Sequence, residues 1–525
     1  MTDSFAARPF SLDAEAQAWV VATFARLTPD QRLRQLFNLR LAGLDPAEIA
    51  RVRAFGPGGI TRHLGADADS ERALIRELSD GAATPLLVSA DLEGSRMSLP
   101  FGMEVPNPIA LAAADDVAAT EAIARLMARE ARSVGINWTF TPVLDINAAF
   151  RSAIVATRGF GADVAVIERH MLAQIRGFQA EGVAATVKHW PGEGYDDRDQ
   201  HLLTTINPLD LPAWEASFGR LYRAAIEAGV MSVMSAHIAL PAWRTAQGAT
   251  GVEPYRPASI AGDLNDGLLR DHLGFRGLVV SDATAMAGLG AWSPRSEHLP
   301  EIVSAGCDVI LFSDDPDRDL SYLKAALADG RLSQARVDQA ALRQLALKAA
   351  LGLHRGLSFP AFAPTSADRA LIDRTTRAAP VVVKDVQHLL PLSPARHRKV
   401  LVISSGIVFP FTPVPLPFAL PDMLRAEGFE VTLQGPGDPP VAAEGFDLVL
   451  YLLGEETLLT RGRIFLDWLR LTGHFGLSMK RHWHDVPTLL VSFGYPYYLY
   501  DAPRMPCVVN AWTTMDSMQR AVCDL

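Results

Sequence analysis

Three residues stand out by type and spacing: Asp199 and His201, two apart, and Asp282, the last polar residue of the apolar run GLVVSDA. An aspartate two positions from a histidine can hydrogen-bond the imidazole, orient the ring and raise its basicity. Such a ring suits chemistry in which one group gives and later takes a proton. A carboxylate that ends an apolar strand is costly unless it is hydrogen-bonded or faces a cleft. Asp282 therefore reads either as the N-cap of the following helix or as a reacting group. Taken together, a strand-end aspartate and a loop histidine form a nucleophile and acid/base pair. The histidine lies on KHWPGEGYDDRDQH at 188–201, a long, glycine-rich, charged loop that opens on Lys188 and His189 at a strand end. A solvated surface loop has the same composition, and D-x-H is by itself a weak pattern. Asp91, Arg96, Asp145 and His237 also end apolar runs. His237 reads either as a pocket residue or as a hydrogen-bonded rim histidine.

The elements that would position these groups recur between about Thr28 and Leu353. An amphipathic helix stops at a glycine, an apolar strand follows, and a polar residue ends it. The stops are Gly135, Gly182, Gly229, Gly274 and Gly306, and the strands after them are INWTFTPVLD, VAATVKHW, VMSVMSAH, RGLVVSDA and CDVILFSD. Glycine past a helix end tolerates positive φ, and β-branched apolar runs suit strands buried on both faces of a parallel sheet. LFNLRLAG, GGITRHL and PLLVSADLEG precede them. About eight strands alternating with helices predict an N-terminal (β/α)8 TIM-type barrel over 1–355, with an open doubly wound sheet as the alternative. Thr28-Pro29-Asp30-Gln31 reads as a capping box opening the first helix. Residues 356–369 read as a linker. The strands VVVKD, KVLVISSG, FEVTLQG, FDLVLYLLG, VPTLLVSFG and CVVNAW predict a smaller α/β sandwich domain over 370–525.

Composition excludes other classes. The chain has 525 residues, 49% hydrophobic and 21% charged, which describes a folded protein rather than a disordered one. A net charge of -10 without a basic stripe argues against nucleic-acid binding. Cys307, Cys507 and Cys523 are too few for a disulfide framework. No apolar run is long enough for a membrane span. The N-terminal residues lack a basic segment followed by an apolar one, so a cytoplasmic location is expected. The HWH run at 482–484 could ligate zinc but offers no third or fourth partner, and no metal is expected. YPYYLY at 495–500 reads as edge-strand and core material.

The motifs together resemble glycoside hydrolase family 3, in particular its NagZ-like β-N-acetylglucosaminidase branch. KHWPGEGYDDRDQH, from Lys188 to His201, is similar to that family's loop, which opens on K-H-F-P-G-H-G and closes on D-x-H. SADLEGSR at 89–96 is similar to D-x-E-G-G-R, FRGLVVSDATAM at 275–286 to F-x-G-V-V-x-S-D-x-x-x-M, and TRGFG at 157–161 to R-x-F-G. VVVKDVQHLLPL resembles the family's V-L-L-K-N-x-x-x-L-L-P-L in the second domain. Glu193 stands where the family has histidine, Trp190 where it has phenylalanine and Ser95 where it has glycine. Glu193 is expected to bring a negative charge to the loop.

The resemblance implies a retaining exo-β-N-acetylglucosaminidase. Asp282 would be the nucleophile, His201 the general acid/base and Asp199 its partner. Asp91, Arg158, Lys188 and His189 would bind the sugar, and His237 would line the pocket. No cofactor is implied. The expected substrate is a carbohydrate ending in β-linked GlcNAc, such as a peptidoglycan recycling fragment. A β-glucosidase and a non-catalytic sugar-binding protein on the same barrel are the alternatives. Whether water or phosphate accepts the sugar is left open.

Overall fold

The structure, a computed structural model, describes residues 5–62, 67–410, 412–456 and 458–525. The last two residues of GGITRHL and the first four of the chain lie outside the described residues. Eight strands form the first sheet: β1 Phe37–Leu41, β2 Gly59–Arg62, β3 Leu87–Ala90, β4 Trp138–Thr139, β5 Thr186–Trp190, β6 Ser232–Ser235, β7 Leu278–Ala283 and β8 Val309–Leu311. They pair in the order β4-β3-β2-β1-β8-β7-β6-β5, every pair parallel. Parallel bridges Trp138–Ala184 and Val143–Lys188 bring β4 beside β5 and close the barrel. The open-sheet alternative is excluded by that closure.

Alternation along the strands decides which side chain goes inward. Leu278 and Val280 join Leu87, Trp138, Phe140 and Met234 in one cluster, while Val279 between them packs in the other, with the surrounding helices. Helices Ala14–Arg26 and Gln334–Ala350 contribute Val20, Leu345 and Ala346 to the first cluster. The five glycine stops all have positive φ, from 78° at Gly182 and Gly274 to 106° at Gly306. Thr28 and Gln31 form the expected reciprocal cap. That helix is not the first, because Ala14–Arg26, capped by Asp13, precedes it.

A segment without regular structure over 356–365 leads to helix Ser366–Ala378, which opens on a Thr365–Asp368 capping box. The second sheet has β9 Val381–Asp385, β10 Lys399–Val408, β11 Glu430–Gln434, β12 Leu448–Glu455, β13 Thr488–Gly494 and β14 Cys507–Asn510. Their order is β9-β14-β13-β12-β10-β11, parallel except for the edge strand β9. Successive residues of β10 feed opposite faces: Val400 and Val402 join one apolar layer, Leu401 and Ile403 the other. That is the α/β sandwich.

The two parts meet at the mouth of the barrel. YPYYLY is a loop and a short turn at this interface rather than an edge strand. Tyr495 Oη donates to the Phe150 carbonyl (2.7 Å), and Tyr500 stacks on Phe150 with centroids 4.1 Å apart. Among the described residues no helix is long and apolar enough to cross a membrane. All three cysteines are free thiols.

Candidate active site

A cavity of about 550 Å³ opens where the barrel strands end, and Asp91, Arg158, Lys188, His189, His201 and Asp282 all line it. Ligand sites of closed α/β barrels lie at this face. Asp91 follows β3, Lys188 and His189 end β5, and Asp282 ends β7. Chain segments separated by almost two hundred residues thus supply one pocket because parallel strands all finish on the same side.

The floor is a buried charge network. Arg158 grips Glu93 with two parallel bonds, Nε to Oε2 and Nη2 to Oε1, each 2.9 Å. Lys188 Nζ lies 2.7 Å from Glu93 Oε1 and 3.0 Å from Asp91 Oδ1. Burial alone would raise the Glu93 carboxyl, but Arg158 and Lys188 outweigh it and hold Glu93 well below the usual carboxylate range. Burial alone would lower the Lys188 ammonium, and Asp91 and Glu93 instead hold it above its ordinary value. Both partners therefore stay charged. A paired and fully bonded set is the condition under which buried charges are tolerated, and it leaves fixed polar groups facing a ligand that carries hydroxyls.

Glu93 is the residue missed at the level of sequence. Its signal was present in SADLEGSR, two residues beyond the aspartate singled out, but nothing in the spacing says that two cations converge on it. Asp145 is a second. It is fully buried; its Oδ1 accepts from the backbone N–H groups of His189 (3.0 Å) and Glu193 (2.9 Å), and its Oδ2 lies 2.5 Å from His189 Nδ1. It anchors both the ring of His189 and the start of the 188–201 loop.

Asp282 is 8% exposed, and its Oδ1 accepts from the Ala283 amide at 2.7 Å. That contact is to its own neighbour. The helix Ala287–Gly290 that follows has no side-chain cap, so the N-cap reading fails. Burial pushes the Asp282 carboxyl up, but His189, His237 and His201 around it prevail and hold it below the usual range. It is an anion at neutral pH, directed to the cavity. His201 Nδ1 lies 2.7 Å from Asp199 Oδ1, and the His201 amide donates to the same oxygen at 2.8 Å. With Nδ1–H engaged, Nε2 is the ring nitrogen left to meet a ligand. The His201 side chain is 24% exposed and Asp199 is fully buried. The loop histidine and the strand-end aspartate thus share one cavity.

His237 does not line the cavity, contrary to the expectation drawn from the resemblance. It is fully buried, with Nε2 3.0 Å from the Ala283 carbonyl and Nδ1 2.8 Å from Ser259 Oγ. Burial lowers its pKa. Both ring nitrogens are thus spent holding the strand behind Asp282.

Glu193 also departs from expectation. It is buried, Gln200 Nε2 donates to its Oε2 (2.9 Å), and Gln200 Oε1 in turn accepts from the His237 amide (3.0 Å). Burial, then Asp145 and Asp199 nearby, push its carboxyl well above the ordinary value, so it is held as a neutral acid rather than bringing charge to the loop. Because the folded state keeps a proton that the unfolded state releases near the ordinary value of 4.5, its stability contribution is full below that pH and declines as pH rises. Glu193→Gln, which cannot ionise, is expected to gain on the wild type in melting temperature as pH rises from 5 to 8. A gap that stays constant over that range would show that Glu193 ionises normally.

Ser95 and Trp190, the other departures, have structural partners. Ser95, at φ 48°, bonds Thr513 Oγ1 of the second domain at 2.6 Å. Trp190 packs edge-on against Trp214 and Tyr222 in the core. Asp145, His189 and Glu193 offer ligand atoms within 4.8 Å of one another, the spacing of a cation site. Asp145 is already committed to three donors and Glu193 to Gln200, so the trio reads as a hydrogen-bonded anchor. The described residues around His482 and His484 form no comparable group.

Comparison with known proteins agrees with this architecture. Residues 56–347 match the model of the glycosyl hydrolase family 3 N terminal domain. The chain is 38% identical to a β-N-acetylglucosaminidase/β-glucosidase of Cellulomonas fimi, over 96% of this chain and 93% of that protein. It is 32% identical to a β-hexosaminidase of Vibrio cholerae, over 46% of this chain and 69% of that one. Among solved structures, a β-glucoside phosphorylase, BglX, bound to 2FGlc superposes with a TM-score of 0.92 at 29% identity, covering 100% of this chain and 96% of that chain. A family 3 β-N-acetylglucosaminidase from Paenibacillus sp. superposes with a TM-score of 0.81 at 26% identity, covering 95% and 96%. The match spans both the barrel and the sandwich, and the chain belongs to glycosyl hydrolase family 3, as an enzyme acting on carbohydrate substrates.

Proposed function

We propose that the protein is a retaining exo-β-N-acetylglucosaminidase. One observation carries the reading: an anionic strand-end carboxylate, Asp282, shares a cavity with a histidine whose Nδ1 is held by a buried aspartate. In the first step an Asp282 oxygen bonds to the anomeric carbon as the bond to the leaving oxygen breaks, and the proton on His201 Nε2 passes to that oxygen. In the second step His201 takes a proton from the acceptor, whose oxygen displaces Asp282 from the anomeric carbon. Asp199 holds the ring and balances its positive form. Asp91, Arg158, Lys188 and His189 bind the hydroxyls of the terminal sugar, and Glu93 keeps Arg158 and Lys188 in place. The substrate we favour is a wall-derived fragment, GlcNAc on anhydro-muramic acid, handled in the cytoplasm.

A second reading, transfer to phosphate, is favoured by the likeness to the β-glucoside phosphorylase over the whole chain. A histidine that has given up its proton is neutral, so it does not repel an incoming phosphate as a carboxylate would. The test is a panel of aryl β-glycosides (N-acetylglucosaminide, glucoside and xyloside), each with and without inorganic phosphate. Fastest turnover of the N-acetylglucosaminide to free sugar is expected. Turnover of the glucoside alone would overturn the sugar. Conversion to a sugar 1-phosphate when phosphate is added would establish the second reading.

A further inference from the structure

The acid/base dyad is not completed by the barrel alone. Asp199 Oδ1 is taken by His201, through both its ring and its amide. Asp199 Oδ2 accepts from the backbone N–H of Thr460, 2.7 Å away, in the second domain. Thr460 has φ 65°, a left-handed conformation unfavourable for a β-branched residue, and such outliers persist only where surrounding structure imposes them. The imposing contacts are present. Leu458 is buried in the apolar layer of the sandwich. Arg463 bridges to Ser152, and the Ile464 amide donates to the Arg151 carbonyl at 3.2 Å. Leu459 and Thr460 themselves line the cavity. The same domain holds the sugar-side loop, since Thr513 bonds Ser95, Arg96 Nε donates to Thr514 Oγ1 (2.7 Å), and Asn107 Nδ2 donates to Glu456 Oε1 (3.1 Å).

We propose that Thr460 is a positioning residue for the reaction, and that the second domain acts in catalysis by presenting its backbone N–H to Asp199. An amide donor on a carboxylate favours the charged form. Held from both sides, Asp199 cannot rotate away from His201, so the ring keeps its proton on Nδ1 and presents Nε2 to the leaving oxygen. The side chain of Thr460 takes no part; the N–H does. A barrel with the dyad loop alone would leave Asp199 Oδ2 without this donor, and the loop free to carry His201 out of line.

The inference rests on the reading of His201 as the acid, and the experiment separates the two. Its principal variant replaces the 459–460 peptide by an ester, which removes the Thr460 N–H and keeps the side chain. His201→Ala is the reference. Each is assayed on an alkyl β-N-acetylglucosaminide, which needs protonation of its leaving oxygen, and on the 2,4-dinitrophenyl glycoside, which does not. We expect the ester to lose roughly 10- to 100-fold in kcat/KM, which reports the first step, on the alkyl substrate, the size of one hydrogen bond to a charged group. On the dinitrophenyl substrate its loss should be less than about 5-fold, since acid assistance is not required there. Thr460→Gly, which keeps the N–H and tolerates the positive φ, is expected to retain the wild-type ratio between the two substrates that the ester disturbs. An ester with the wild-type ratio, beside a His201→Ala variant that discriminates, would overturn the role of Thr460 alone. A His201→Ala variant that loses equally on both substrates would overturn the acid reading beneath it.

Discussion

Asp282→Asn is expected to lower kcat on an aryl N-acetylglucosaminide by about 10⁴-fold or more, the scale seen when a nucleophile is removed, with no fall in melting temperature. The amide is nearly isosteric, and its oxygen can still accept from the Ala283 amide, the hydrogen bond that the carboxylate makes among the described residues. What it cannot do is form the ester bond to the anomeric carbon. A sharper version uses Asp282→Gly with azide. The anion enters through the space left by the carboxylate and attacks from the face opposite the leaving group, so a β-glycoside should yield the α-glycosyl azide. Near-normal turnover by Asp282→Asn would remove Asp282 from the mechanism. Recovery of a β-azide would place the nucleophile elsewhere.

His201→Ala should show the second largest effect, and one that depends on the substrate. Loss of a positioned general acid costs about 10²- to 10⁴-fold where the leaving oxygen must be protonated, so alkyl and saccharide glycosides should slow by that amount. Dinitrophenolate leaves unaided, and its first-turnover release, or kcat/KM, should fall less than about 10-fold. The glycosyl-enzyme then waits for an acceptor that no base activates. Azide, which needs no base, should intercept it from the β face and give the β-glycosyl azide. The two azide products are mirror assignments: α from the Asp282 variant and β from the His201 variant. Equal losses on all leaving groups would argue that His201 merely supports the loop.

Much of the molecule was legible before any coordinates. Barrel strands buried on both faces must be apolar throughout, and helices need a residue tolerant of positive φ where they end. The strand runs and the five glycines follow from these two requirements. The four inner strands of the second sheet were legible for the same reason, while the largely exposed edge strands β9 and β11 were marked by their β-branched residues. Asp199 with His201 is a local pattern, and its hydrogen bond spans only two residues, so spacing alone brought it to notice.

What spacing could not supply were the contacts between distant segments. Glu93 matters because Arg158 reaches it from the turns after β4 and Lys188 from β5, and Asp145 because it receives amides from the end of β5 and the loop after it. His237 reads as a pocket residue until Ser259 and Ala283 are seen to occupy both of its nitrogens. The state of Glu193 is the clearest case. On paper a glutamate in a charged loop is an anion, yet inside the barrel rim it is cut off from water and set near Asp145 and Asp199. The amide that reaches Asp199 lies 261 positions away in sequence, in another domain. Residue type and local spacing thus determine which elements form and which groups can do chemistry. Burial and long-range proximity decide how each group is charged, where it points and what holds it there, because desolvation and Coulomb energy depend on distances in space that no spacing along the chain contains.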